Sequence, residues 1–230
     1  MSEKNTNGTE RALGPLIATA LVGVAAIAAV IFLIVMNAGG NNGSDSSGGL
    51  SSNAVITFRP TEELVDECNN NAHDLVANNY EVLRLFLLEG VPHEDEPYGN
   101  EPEDGYYTAK SSRFPTMESM ETFVKSTFVA DEAERILRDF DGNGRAVYVA
   151  REGYDGALGV KADFQPDTSY NKPWESSRIQ FVPVSETECS LKVFLGADEE
   201  TDLSTVSEDH ILETTMIKGE DGWRLTELVY

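Results

Sequence analysis

Basic residues are scarce in this chain of 230 residues: 17 Lys and Arg stand against 40 Asp and Glu, for a net charge of −23. All but three of the acids and all but two of the bases lie after residue 50. Such a field repels nucleic acid and anionic headgroups, so no nucleic-acid partner is expected. It favours a basic partner, cations or solubility alone. Histidine is limited to His73, His93 and His210, which share no metal spacing, and no C-x-x-C occurs, so a structural zinc site is not expected. The chain also lacks G-x-S-x-G, a Walker glycine loop and G-x-G-x-x-G. No nucleophile, cofactor motif or catalytic pair stands out, and the reading is a protein that is not an enzyme, with no catalytic residue and no cofactor. The two cysteines, Cys68 and Cys189, leave two readings open. Outside the cytoplasm they can pair, closing a loop of about 120 residues worth about 4–5 kcal/mol in the chain-entropy model. Each also sits on an apolar stripe, Cys68 with Leu64, Ala72 and Leu75 and Cys189 with Leu191 and Val193, where two buried thiols fit equally well.

What the chain does have is one long apolar run. Ala12 to Met36 carries no charge and includes LIATALVGVAAIAAVIFLIVM. About 20 apolar helical residues cross a bilayer. The run exceeds a secretory signal, and Val35-Met36-Asn37-Ala38 offers no A-x-A cleavage site, so residues 12–36 are expected to be an uncleaved transmembrane helix. Lys4 and Arg11 precede it, and no Lys or Arg follows until Arg59. The positive-inside rule then makes residues 1–11 a cytoplasmic tail and puts the rest outside, in a single-pass protein of the cell membrane. Residues 37–54, NAGGNNGSDSSGGLSSNA, cannot build a core and read as a flexible linker of about 23 Å r.m.s. span.

Residues 55–230 read as one extracytoplasmic α+β domain. Pro60-Thr61-Glu62-Glu63 is a helix start, and Leu64, Cys68, Ala72, Leu75, Val76, Leu83 and Phe86-Leu87 follow at close to helical period. Asn69-Asn70-Asn71 weakens the middle and allows two helices instead of one. A short strand is expected at Tyr106–Ala109. Thr116 caps a helix that carries Met117, Met120, Val124 and Phe128 on one face. Asp131 to Glu134 has the spacing of a capping box that restarts a helix. From residue 145 the period becomes two, with strands expected at Arg145–Ala150, Arg178–Val184, Cys189–Leu195, His210–Lys218 and Trp223–Tyr230. The last two flank the hairpin signal Gly219-Glu220-Asp221-Gly222. Helices first and strands later imply helices packed on a bent antiparallel sheet built from the C-terminal half.

Two stretches carry candidate site residues. Asp139, Asp141 and Asn143 match the first half of a calcium loop, with Gly144 at position 6. Position 12 is Ala150, and the second half reads as strand, so the competing reading is a helix-to-strand turn that needs positive φ. Tyr154 to Ser177 is irregular and holds Tyr154, Phe164, Tyr170 and Trp174. Tyr170 and Trp174 can bury large area on a partner while Asp163, Asp167 and Glu175 meet its cations. Equally, the aromatics can fold down as a cover over the sheet.

Four stretches together resemble the IseA family of DL-endopeptidase inhibitors. They are Tyr80–Phe86 leading to Gly90-Val91-Pro92, Asp104-Gly105-Tyr106-Tyr107 before Arg113-Phe114, Met117–Phe128 followed by Ala133–Leu137, and Gly222-Trp223-Arg224-Leu225-Thr226. The last of these also ends many cystatin-like and NTF2-like domains. The resemblance covers about Thr61 to Tyr230. It implies a cystatin-like sheet joined to a helical part, and steric occlusion of the cleft of a papain-like peptidase that cuts peptidoglycan stem peptides. The chain departs from the family in its acidity and its membrane anchor, and no inhibitory residue transfers by position. The alternative is an NTF2-like extracytoplasmic domain that binds a ligand or an envelope partner and inhibits nothing.

Overall fold

In the computed structural model the described residues are 58–94, 102 and 104–230, and they fall within one compact unit, Val55–Tyr230. The cytoplasmic tail, membrane span and linker expected at 1–11, 12–36 and 37–54 lie outside the described residues. Among the described residues no helix is long and apolar enough to cross a membrane.

The first helix, α1, runs Glu62–Leu83. Thr61 caps it, its hydroxyl accepting from the Leu64 amide at 3.2 Å, and Glu62 and Glu63 face the positive helix end. The three asparagines do not divide it. The buried stripe Leu64, Cys68, Ala72, Leu75, Val76 and Asn79 passes through them, and Asn71 turns its amide back to the Glu67 carbonyl at 2.8 Å. Packing of that stripe outweighs the modest asparagine penalty. The helix then widens into a π turn, Arg84–Leu88, where the Glu89 amide bonds Arg84 O five residues back. The buried Tyr148 hydroxyl donates to Leu85 O within this turn at 2.5 Å. Gly90, at φ +72°, ends it beneath the Phe164 ring.

Helix α2, Met117–Thr127, begins with a capping box between Thr116 and Ser119 and buries Met120, Val124 and Thr127. Helix α3 is Ala130–Asp139. The capping box expected at Asp131 is not formed: Val129 is the N-cap and has no side-chain cap bond. Instead the Val129 amide bonds Leu225 O at 2.9 Å, so tertiary docking fixes where this helix starts.

The strands form two antiparallel sheets, which corrects the expectation of a single bent sheet. The smaller has three short strands, β1 (Tyr106–Thr108), β2 (Tyr148–Ala150) and β3 (Leu158–Lys161), in the order β1-β3-β2. The larger is a meander of β4 (Ser177–Ser185), β5 (Glu188–Leu195), β6 (Ile211–Gly219) and β7 (Gly222–Leu225). The β6–β7 turn sits at the expected hairpin, with Gly219 paired to Gly222. Strand β7 stops at Leu225 rather than Tyr230, because the tail beyond it bonds to helices. Val229 exchanges two hydrogen bonds with the buried Asn79 amide at 2.8 and 3.0 Å, and the Leu228 amide donates to Glu132 at 2.9 Å. Strand β3 fell inside the stretch read as irregular. Leu158, Gly159 and Val160 are all buried, so a central strand covered on both faces shows no alternation.

The core lies where α1 and α2 cover the inner face of the larger sheet. It gathers Leu64, Cys68, Ala72, Phe181, Cys189, Leu191, Val193, Met216, Trp223 and Leu225. On β4, Phe181 and Pro183 point inward while Gln180, Val182 and Val184 face solvent. Pro183 on an outer strand cannot donate to a further one, which blunts that edge.

Candidate partner-binding surface

Two long connections meet at one end of the larger sheet. One joins β3 to β4 over residues 162–176, and the other joins β5 to β6 over residues 196–210. The Gly196 amide bonds both Pro173 O and Ser176 O at 2.9 Å. Gly196 has φ +73°, and a Cβ there would stand 3.0 Å from Pro173, so glycine permits the approach. The Arg178 guanidinium reaches Thr201 O at 3.3 Å and so pins the second connection to β4.

The first connection is held down by aromatic contacts. Trp174 is 7% exposed. Its ring stacks on Tyr80 of α1, with centroids 4.9 Å apart and 9° between planes, and its indole N–H donates to the Tyr170 hydroxyl at 2.5 Å. Tyr170 is half-buried. The Asp167 amide bonds Leu87 O at 2.8 Å, so the backbone is also tied to the π turn. Of the acids singled out from sequence, Glu175 is exposed beside Tyr80, and Asp167 is half-buried. Asp163 is exposed and turns to the Lys161 ammonium at 3.6 Å.

The second connection was not singled out from the sequence. It carries Asp198, Glu199, Glu200, Asp202, Glu208 and Asp209, all exposed, and no Lys or Arg occurs between Lys192 and Lys218. That gap in positive charge was the available signal, but acids are so frequent in this chain that it did not stand out. Hydroxyls fix the loop carboxylates in place. Asp198 accepts from Thr201 Oγ1 at 2.7 Å, Asp202 from Ser204 Oγ at 2.8 Å, Asp209 from Ser207 Oγ, and Asp167, across in the first connection, from Ser169 Oγ at 2.6 Å. These bonds hold the four carboxyls below their ordinary titration range. The surface is therefore anionic, with its carboxylates hydrogen-bonded into defined turns.

A cleft of 520 Å³ opens at the C-terminal end of α1 between the π turn, His93 and Arg113. A chain of ion pairs lines it. Arg113 reaches Glu81 at 2.7 Å, Glu81 reaches Arg84 at 2.9 Å, and Arg84 grips Glu89 through Nε and Nη2 at 3.0 and 2.5 Å. Arg113 also lies over the Phe114 and Phe123 rings, 5.0 and 4.9 Å from their centroids.

The stretch Asp139–Gly144 forms a turn with Gly142 and Gly144 at positive φ. Its candidate calcium ligands bond within the loop. Asp139 accepts from the Gly144 amide at 2.6 Å, Asn143 Oδ1 from the Arg145 amide at 3.2 Å, and Asp141 from Asn143 Nδ2 at 2.5 Å, with the Lys161 ammonium 3.8 Å from Asp141. Among the described residues no group of three or more His, Cys, Asp or Glu is placed to hold a metal ion. No family model matches the chain, and no curated protein matches it at the sequence level.

Proposed function

We propose that residues 55–230 are an extracytoplasmic binding domain that works by covering a partner's cleft, without chemistry of its own. Residues 12–36 would anchor it in the bilayer with the N-terminus in the cytoplasm, and residues 37–54 would set its reach. One observation carries this reading: the two connections at the end of the larger sheet present fixed carboxylates on a rigid scaffold, as binding loops do. The partner is then a protein whose cleft has a basic rim. By resemblance to the IseA family it is a cell-wall DL-endopeptidase, and the cystatin-like description belongs to the same reading, supported by a helix laid across an antiparallel meander.

The test is inhibition of DL-endopeptidases from the same cell by the full-length chain in detergent, at tens of micromolar and over a range of salt. Inhibition that weakens with salt is expected, because steering between exposed charges is screened beyond about 8 Å at physiological ionic strength. Replacing Glu199 and Glu200 together by Lys should slow association about tenfold at low salt and much less at high salt. Full activity of every such peptidase in the presence of the chain overturns the occlusion reading. The NTF2-like alternative draws on the 520 Å³ cleft, which is within the size range of small-molecule sites. It predicts ligand uptake abolished by Arg113→Ala, with peptidase activity untouched.

A further inference from the structure

Cys68 and Cys189 belong to different layers, Cys68 to the buried stripe of α1 and Cys189 to the inner face of β5. Each is fully buried. Neighbouring contacts set the two elements in register at this point. Glu67, the residue before Cys68, holds the Lys218 ammonium at 2.6 and 2.8 Å through its two carboxylate oxygens. The Lys218 amide in turn bonds Thr187 O at 2.8 Å, two residues before Cys189. Cys189 lies between Pro183 on one side and Met216 on the other, on the buried face of the sheet. Both thiols lie buried between α1 and the sheet on which it packs, and each bears on the other's titration.

We infer that Cys68 and Cys189 are a disulfide-forming pair that crosslinks α1 to β5. The chemistry is exchange with a disulfide oxidant, either a small-molecule disulfide such as oxidised glutathione or the active-site disulfide of an oxidoreductase. One cysteine attacks as thiolate and forms a mixed disulfide, and the other displaces the oxidant's sulfur. One S–S bond forms in the chain and one breaks in the oxidant. The chain's thiols lose two protons and two electrons, and the oxidant leaves as two thiols. Burial pushes both thiols above their ordinary range once α1 is packed on the sheet. The reactive thiolate is therefore available before docking, so the bond forms during folding and is afterwards shielded from reductants. It is a structural staple rather than a switch. The loop it closes contains α2, α3 and the whole smaller sheet, so it restricts most of the unfolded domain.

Its occurrence in the cell rests on the proposed location outside the cytoplasm, but the pairing itself is tested without it. The full-length chain in detergent is reduced, unfolded in urea, and refolded in a mixture of reduced and oxidised glutathione. Aliquots are denatured and treated with a maleimide before and after reduction. The expected result is two thiols that react only after reduction, a peptide linking Cys68 to Cys189 by mass, and a higher urea midpoint than for the chain refolded under reductant. Refolded chain with both thiols open to maleimide, or carrying glutathione on each, overturns the pairing. Protease shaving of intact cells reads the location separately. Chain that is shaved from the outside yet has two reactive thiols in the cell also overturns the inference.

Discussion

Replacing Trp174 by Ala measures how firmly the first connection is held to α1. The indole is 7% exposed, stacked on Tyr80, and bonded to Tyr170. A tryptophan buries on the order of 200 Å². At about 25 cal/mol per Å² that gives about 5 kcal/mol, which a compact unfolded chain reduces to about 3–4. The stack adds about 1 kcal/mol, and the N–H···O bond about 1 more. Part of this is recovered, because a connecting segment can settle into the space and the half-buried Tyr170 hydroxyl can turn to water. The expected loss is about 3 kcal/mol, the lower end for truncation of a buried aromatic. Trp174→Phe retains the stack and should lose about 1–2 kcal/mol. Urea unfolding reads both, followed by the fluorescence of Trp223, the other tryptophan, which is buried at 2% exposure. Association with a partner should survive Trp174→Phe, since the carboxylates of the second connection are untouched. A loss below about 1 kcal/mol for Trp174→Ala would refute the stacking argument. A folded Trp174→Phe chain that no longer binds would identify this residue as a contact rather than a support.

Asn79→Ala should cost about 2–4 kcal/mol, because it removes both bonds to Val229 and leaves backbone groups of the tail unpaired; urea unfolding gives the magnitude, and faster amide exchange at Val229 would locate it. Glu132 is held below its ordinary carboxyl range: burial opposes the charge, but the Arg135 guanidinium and the Leu228 amide outweigh it. That contribution is present above the usual pKa of about 4.3 and is lost as pH falls through the lower folded value, so Glu132→Gln should be less stable at pH 7 and lose less on acidification to pH 3. Gly90→Ala should be worse than Gly142→Ala by about 1–2 kcal/mol in urea midpoints converted to free energy. Both glycines have φ +72°, but a Cβ at Gly90 would be 2.8 Å from the Phe164 ring, whereas at Gly142 it meets nothing within 4 Å.

Local signals carried far into this fold where one interaction dominates. Thr61 with two following acids marks the start of α1, Thr116 marks that of α2, and the Gly219–Gly222 turn marks the last hairpin. The α+β class follows from the change of period. Where tertiary contacts decide, the sequence was silent. The start of α3 is set by a bond from Val129 to β7, which no capping pattern records. The end of β7 is set by Asn79 and Glu132, residues 150 and 96 positions away from their tail partners. Strand β3 hides because burial on both faces erases alternation, and its Gly159 exists to fit between Arg151 and Val149. At the candidate surface, the aromatics of the first connection were visible, but whether they face a partner or the core depends on Tyr80, more than 90 residues away.

The same long-range bonds decide what the acidic end of the sheet can do. A loop of like charges left to itself spreads apart, and ordering it on a partner costs conformational entropy. Here bonds within the domain tie both connections down. Trp174 and the Asp167 amide fix the first connection on α1 and the π turn, Gly196 fixes the second against the first, and Arg178 fixes it on β4. The hydroxyl bonds favour the ionised form of these carboxylates, and the scaffold holds their like charges side by side. Net charge alone would be consistent with mere solubility. The proposed binding role therefore draws on the placement of these carboxylates and not on the charge count alone.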